Sequence, residues 1–383
     1  MKNEKILFLS LYTYSLTGGI EKVCRTFIEV LEELKSFHKI KGHLNLSLHD
    51  LKNFSNHKGF NGNKFLYAFA VLKNAFTADI IILSHVHLLP FAKLIIKLSP
   101  KKRVILFAHG IEVWKPLAKW KRDFLKKIEI WAVSRYTAEQ LRKLNSVQNK
   151  NIKILNNSLP RSYSYSSAES LKANTQERYR ISTDDQVVLT VCRLSSLEQY
   201  KGYDMVLLAF KDVIKTYPQV KYIIAGKADE MEKQRVLQLI QDCKLQDHVI
   251  LAGYINDQEL KALYQLADVF AMPSKGEGFG LVYLEAIANG CSVLAGDADG
   301  SRDALLDGEL GLLVDPEDGD AVYQGLIQLL AQPTTEDEIV QRQQMVETHF
   351  GFARYVEQVE DLLTSAPPSP EIEGATLQKI NGS

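Results

Sequence analysis

Short apolar runs, separated by longer amphipathic stretches, recur along the whole chain. In the first half they fall at residues 6–11, 80–83, 104–108, 130–133 and 152–155; in the second at 187–191, 222–225, 249–251, 269–272 and 292–295. Runs this short, often β-branched and spaced by helix-length segments, predict parallel strands covered on both faces. Each half then folds as a doubly wound, Rossmann-like α/β unit around a parallel sheet. Residues 161–169 (RSYSYSSAE) are Ser-rich and polar and read as a linker. The expected division is residues 1–165 for the first unit and 166–345 for the second, with 346–365 as a C-terminal helix packing back towards the first. The last helical pattern covers about residues 338–363. From residue 366 to 383 proline density and lost periodicity predict a disordered tail.

A chain of 383 residues is too long for one ordinary core and suits two α/β domains. Cys24, Cys192, Cys243 and Cys291 lie far apart, without a CxxC pair or zinc-ligand spacing, and read as thiols in a reducing compartment. The opening residues lack the features of a signal peptide, and no window approaches the ~18 apolar residues of a membrane span. A cytoplasmic protein is expected.

Charge changes the picture, because the formal net charge of zero conceals an asymmetry. Residues 1–170 hold 28 Lys+Arg against 12 Asp+Glu, and the rest hold 18 against 34. The first half therefore suits something anionic. Its densest basic segments, 93–103 and 119–127, interleave lysines with apolar and aromatic residues, as interfacial membrane segments do. Two solvated helix faces are the plainer alternative. The expectation is peripheral contact with an anionic membrane through residues 93–127. No recognition motif for nucleic acid accompanies the charge, so nucleic acid is not expected as a partner.

The most informative stretch is residues 273–290, PSKGEGFGLVYLEAIANG. A buried strand leads into a glycine-rich turn that opens a helix, and Gly290 stops that helix. Such a helix mouth presents backbone N–H groups and a positive dipole end, which suits a diphosphate. The helix is apolar except for Glu285, a residue type rarely buried without a partner. Glu285 lies one turn after Leu281 and can project towards the same mouth; Glu277 precedes the turn. Two carboxylates beside an anion site make sense if they bind hydroxyls. A second constellation is Arg193, ending a strand, and Lys201, preceding a helix. Both face the carboxyl edge of the sheet, where they can neutralise a diphosphate. In the first half, Gly18 and Gly19 open a helix after the first strand. That turn is not GxGxxG, so a nicotinamide site is poorly supported. His109 ends a strand before Gly110, with Glu112 and Trp114 close by as candidate acceptor-pocket residues. His85 and His87 end another strand and read as structural. The strings Asp297-Ala-Asp299 and Asp318-Gly-Asp320 fall in loops, and no metal is expected to be required.

The context EGFGLVYLEAIANG, with Glu277 and Glu285 as E-x7-E, resembles retaining glycosyltransferase family 4 of the GT-B fold, over nearly all of residues 5–365. The resemblance implies two Rossmann-like domains facing a central cleft. It implies that Glu277 contacts donor hexose hydroxyls and Glu285 the nucleotide ribose. The backbone of Phe279, Gly280, Leu281 and Val282 would hold the sugar and phosphates. Arg193 and Lys201 match the family's R…KG pattern, His109 the histidine at the donor sugar, and Gly18 and Gly19 a turn lining the cleft. Tyr254 and Ile255, after Gly253, would lie near the nucleobase. Two departures stand out: the usual PNG turn is Asn156-Asn157-Ser158, and the usual G-x-x-E is Gly300-Ser301-Arg302-Asp303.

The implied function is transfer of a hexose, mannose or glucose, from a GDP- or UDP-sugar to a glycan or lipid-diphosphate-linked acceptor with retention of configuration. No cofactor is expected beyond the donor itself. The expected route is front-face displacement, the leaving phosphate taking the acceptor's proton. The alternatives are a nucleotide-sugar 2-epimerase of the same fold, or a non-catalytic subunit of a membrane glycan-assembly complex.

Overall fold

The computed structural model describes residues 4–165 and 169–367. Of the tail expected over 366–383, residues 368–383 lie outside the described part, as do residues 166–168 of the linker. The first unit runs β1 (Lys5–Ser10), α1 (Gly19–Ser36), β2 (Gly42–Ser47), β3 (Asn53–Phe54), β4 (His57–Gly59), α2 (Lys64–Ala75), β5 (Ile80–Leu83), α3 (Leu89–Leu98), β6 (Arg103–Ala108), α4 (Lys119–Leu125), β7 (Glu129–Ala132), α5 (Arg135–Asn145) and β8 (Ile152–Ile154). The second runs α6 (Glu169–Tyr179), β9 (Val187–Val191), α7 (Tyr203–Thr216), β10 (Lys221–Ala225), α8 (Glu230–Asp242), β11 (Val249–Gly253), α9 (Asp257–Leu266), β12 (Val269–Met272) and α10 (Leu281–Ala288). It continues with β13 (Ser292–Gly296), α11 (Ser301–Ala304), β14 (Leu312–Val314), α12 (Gly319–Ala331) and α13 (Glu336–Phe350), and the chain closes with α14 (Phe352–Thr364).

The first sheet has the order β3-β4-β2-β1-β5-β6-β7-β8, and the second β11-β10-β9-β12-β13-β14. Every pairing is parallel except β3 with β4. Strand order reverses beside β1 in one sheet and beside β9 in the other, and open α/β sheets bind ligands at the carboxyl edge of such switch points.

Four elements were not legible as strands. In β2 the residues His43, Asn45 and Ser47 are buried despite their polarity, so an apolar count passes over it. Asn45 Nδ2 lies 2.5 Å from His57 Nδ1, which pairs off part of that polarity inside the sheet. The edge strands β3 and β4, and β14, are only two or three residues long. The helical pattern over 338–363 is two helices. Gly351 takes an extended conformation (φ −70°, ψ 158°), ending α13 and admitting α14. The break lets the two helices serve different cores: α13 packs on α10, and α14 on α1.

Helices α2 to α5 cover one face of the first sheet. On the other face Phe8, Phe107 and Trp131 are buried against Phe27 of α1 and beneath Tyr355, Val359 and Leu363 of α14. Burial of apolar side chains of this size stabilises by roughly 1.5–3 kcal/mol each. The loop from β1 to α1 is held by Asp50, whose carboxylate accepts from the backbone N–H groups of Thr13 (3.0 Å), Tyr14 (3.1 Å) and Ser15 (3.0 Å). Burial pushes this carboxyl upward, but hydrogen bonds from His57, Ser15 and the Tyr14 and Thr13 amides win and hold it below the usual range. That clamp fixes where Gly18 and Gly19 begin α1.

Candidate active site

The carboxyl edges of the two sheets meet across a cleft of ≈ 680 Å³. Gly18, Gly19 and His109 line it from the first unit. Arg193, Lys201, Tyr254, Ile255, Glu277, Phe279, Gly280, Leu281, Val282 and Glu285 line it from the second. Glu112 and Trp114, expected as acceptor-pocket residues, are not among the residues that line it.

Two helix starts point into this space. Helix α10 opens at Gly280 and α1 at Gly18, and neither start has a side-chain cap. The first N–H groups of a helix lack intrahelical acceptors, so each start leaves donors facing the cleft. Lys201 reaches the cleft because Gly202 bends the chain with φ +80°. A Cβ there would stand 2.1 Å from the Pro273 carbonyl oxygen, so the α7 turn can pack on the glycine-rich loop only without a side chain.

Three of the cations in the cleft are paired with carboxylates. Lys201 Nζ lies 2.5 Å from Glu277 Oε2, and Lys22 Nζ lies 2.5 Å from Glu285 Oε1 across the two units. Glu285 Oε2 also accepts from the Tyr264 hydroxyl at 3.2 Å. Burial would lower the pKa of the Lys201 ammonium, but Glu277 overrides it and holds the group above the usual lysine range. Arg193 pairs with Glu198 and is largely exposed. Three cation–carboxylate pairs thus line the cleft, with Glu21, Lys227 and Asp257 beside them.

His109 Nε2 lies 2.9 Å from the Ser84 carbonyl oxygen, and its backbone N–H donates to Glu112 Oε1 at 2.6 Å. Burial lowers the imidazole to about 4, so it is neutral near pH 7, donating from Nε2 with Nδ1 left as acceptor. Glu112 therefore orients the strand end that carries His109. Trp114 turns away, donating to Thr137 Oγ1 at 3.3 Å and packing on Tyr136. His85 Nδ1 accepts from the His87 amide at 3.1 Å, a local turn.

Several contributors were not among the site residues read from the sequence. Lys22 stands in the first turn of α1, a position readable from the helix start, but its partner is 263 residues away. Asp299 accepts the Glu277 N–H at 2.6 Å and the Ser301 N–H at 2.9 Å, stapling the loop that carries Glu277. Burial raises the Asp299 carboxyl to about 6. Asn157, in the altered turn after β8, lines the cleft with its Oδ1 buried and unpaired. Asp303, at the position of the altered G-x-x-E, faces the first unit: it accepts from Arg135 N (3.1 Å) and Nε (3.0 Å), while Arg135 Nη2 reaches Asp307 at 2.8 Å. Asp318 caps α12. Among the described residues no cluster of His, Cys, Asp and Glu has metal-binding form.

Residues 172–346 match the family model described as glycosyl transferases group 1. This segment belongs to that family. A GDP-mannose-dependent alpha-(1-6)-phosphatidylinositol monomannoside mannosyltransferase of Mycolicibacterium smegmatis is 37% identical over 169 residues, which is 42% of this chain and 43% of the relative. The poly(glycerol-phosphate) alpha-glucosyltransferase of Bacillus subtilis is 30% identical over 165 residues, 43% of this chain and 24% of the relative. The chain spans less than half the length of these curated relatives. The fold, however, is matched throughout. The structure of Anabaena Alr3699/HepE in complex with UDP and glucose superposes with a TM-score of 0.76 at 17% identity, covering 95% of this chain and all of that one. Sucrose-phosphate synthase from Thermosynechococcus elongatus gives 0.74 at 18% identity, covering 94% and 98%. The architecture is GT-B: two parallel-sheet α/β units, with the group 1 glycines and acids on one wall of the cleft.

Proposed function

We propose that the chain is a retaining hexosyltransferase that takes mannose or glucose from a GDP- or UDP-sugar and passes it to a glycan or lipid-linked acceptor. The observation that carries this reading is the pair of uncapped helix starts facing one cleft, beside lysines already held by carboxylates. A diphosphate on the Leu281 and Val282 amides takes Lys201 and Arg193 as counter-ions, which frees Glu277 for hexose hydroxyls and Glu285 for the ribose. Neutral His109 offers Nδ1 as an acceptor to a sugar hydroxyl. Tyr254 and Ile255 flank the nucleobase. The GDP-mannose dependence of the mycobacterial relative and the UDP and glucose in the Anabaena complex support the two donor classes.

The acceptor oxygen attacks the anomeric carbon from the face the phosphate leaves. The bond to the phosphate oxygen breaks, and that oxygen takes the acceptor's proton. Lys201 and Arg193 stabilise the departing charge, which is the electrostatic work such sites perform. Closure of the two units excludes water. Because side chains supply the positive charge, chelation with EDTA should leave turnover unchanged. The testing experiment is a donor panel read by released nucleotide, with the anomeric configuration of the product followed by NMR. Released nucleotide with an inverted product overturns the stereochemistry. Turnover without acceptor, giving an epimerised nucleotide sugar, overturns transfer itself. No turnover with any donor favours the non-catalytic subunit.

A further inference from the structure

The layer α2–α3–α4 covers one face of the first sheet, and its outer side carries apolar residues that none of the described residues covers. On α2 and just after it, Phe65 is 90% exposed, Phe69 70% and Phe76 61%. At 100° per residue these positions, with half-buried Leu72, fall within one narrow stripe of the helix. The opposite stripe of α2, with Tyr67, Ala70, Val71 and Ala75, is buried in the core, so α2 is apolar on both sides. Next to it α3 exposes Leu94 and Leu98, and the Lys93 ammonium of α3 lies 5.2 Å from the Trp120 ring centroid of α4. The three helices therefore form one continuous surface.

The charge on that surface has one sign. Residues 64–127 hold 13 Lys+Arg against three Asp+Glu. Lys64 and Lys73 flank the α2 stripe, while Lys93, Lys97 and Lys101 border Leu94 and Leu98, all of them exposed. Aromatic residues with lysines at their edges match the headgroup region of an anionic bilayer: rings enter the boundary and ammonium groups meet lipid phosphates. A protein partner would need an apolar centre ringed by acids, and the surface itself leaves the partner's sign unambiguous.

We propose that the outer face of α2 and α3, centred on Phe65, Phe69 and Phe76, is the surface by which this protein docks on anionic lipid, the basic segments of α3 and α4 supplying attraction rather than insertion. The sequence pointed to 93–127 by its charge; exposure moves the inserting element to α2. One consequence rests on the transferase reading. Strands β5 and β6, which lead towards α3 and α4, end at the same carboxyl edge that carries His109 into the cleft, so a membrane-held face would bring that edge towards the bilayer, where a lipid-linked acceptor resides.

The test is co-sedimentation of the full chain with vesicles of neutral phosphatidylcholine, with and without 30 mol% phosphatidylglycerol. The parent should partition onto the anionic vesicles at least tenfold better than onto the neutral ones. The exposed-site variant F65S/F69S/F76S should lose binding at least tenfold while keeping its melting temperature and its affinity for UDP or GDP. K93Q/K97Q/K101Q should weaken binding and flatten its salt dependence. Parent-like binding by the phenylalanine variant overturns α2 as the inserting element. A parent that ignores anionic vesicles overturns the proposal, as does a face covered instead by a second copy, seen as a concentration-dependent dimer that the phenylalanine variant abolishes. Nucleotide affinity, measured on the same samples, reports separately on the donor site: its absence with vesicle binding intact removes the transferase reading and leaves the docking surface standing.

Discussion

At the scale of single residues the cleft is set by partners held in reserve. Lys201 is cationic at any working pH because Glu277 outweighs the cost of its burial. Lys201→Ala should lower turnover by about 100-fold or more, the usual cost of removing one stabilising group from a developing charge. A nucleotide-release assay with circular dichroism as the fold control checks it. His109 predicts a pH effect on stability. Its folded pKa of about 4 is below the unfolded value near 6.5, so the unfolded chain binds more protons between those limits. The neutral group's contribution is intact above pH 6.5 and lost as pH falls towards 4, by up to about 3 kcal/mol. His85, also lowered to about 4 by burial, acts in the same sense. Asp299 opposes them: raised to about 6, it favours the folded state at low pH and loses that contribution as pH rises from near 4 through 6. With two histidines against one carboxyl, acidification should lower the urea midpoint, and His109→Gln should make that slope shallower. The residues on the cleft wall were legible because glycine turn, helix start and acids lie within one short segment, 273–290. Their partners were not. Nothing local tells Lys22 that it meets Glu285, since that contact exists only once both units have folded.

At the scale of elements, legibility followed the continuity of apolar residues. Strand β5 is Ile-Ile-Ile-Leu, buried at every position, and no other reading suits it. Strand β2 alternates polar residues that are buried through Asn45, His57 and Ser10, and only the finished network makes them acceptable inside. The glycine-rich loop shows a further constraint of this kind. A Cβ on Gly278 would stand 1.8 Å from the His109 carbonyl oxygen, so the loop of one unit touches the strand end of the other through bare backbone. Gly278→Ala should therefore push the two units apart while sparing each core. The expected result is a loss of turnover of at least about tenfold, by the misplacement cost of reacting groups, with little change in circular dichroism. Unchanged turnover would mean that the loop can move without cost.

At the scale of the whole molecule the last helix is the decisive piece. Residues Tyr355, Val359 and Leu363 complete the core beneath α1, and the Arg103 guanidinium donates to the Leu362 carbonyl oxygen at 2.7 Å. Val359→Asp should cost about 3–5 kcal/mol, as an unpaired charge in a core does, and differential scanning calorimetry should see the loss in the transition of the first unit. The helix was legible as a pattern, but its break at Gly351 was not, because both sides share helical spacing. The surface pairs of Arg135 with Asp303 and Asp307 join the units near the cleft. Arg135 is largely exposed, so those contacts add little to stability.

The chain passes between the units twice, near Leu159 and at Gly351, and the two passages are joined by a hydrogen bond from Leu159 N to Phe350 O at 3.0 Å. The first unit is therefore built from two separate pieces of polypeptide, with the second unit a continuous stretch between them. A fragment ending at residue 165 would leave part of the Phe27 and Trp131 face bare and should aggregate. A synthetic peptide covering 351–365, added in trans, should restore it to a folded, soluble particle. Gene architecture offers no single cut that separates the halves cleanly, so any exchange of one half between relatives must carry two joints rather than one.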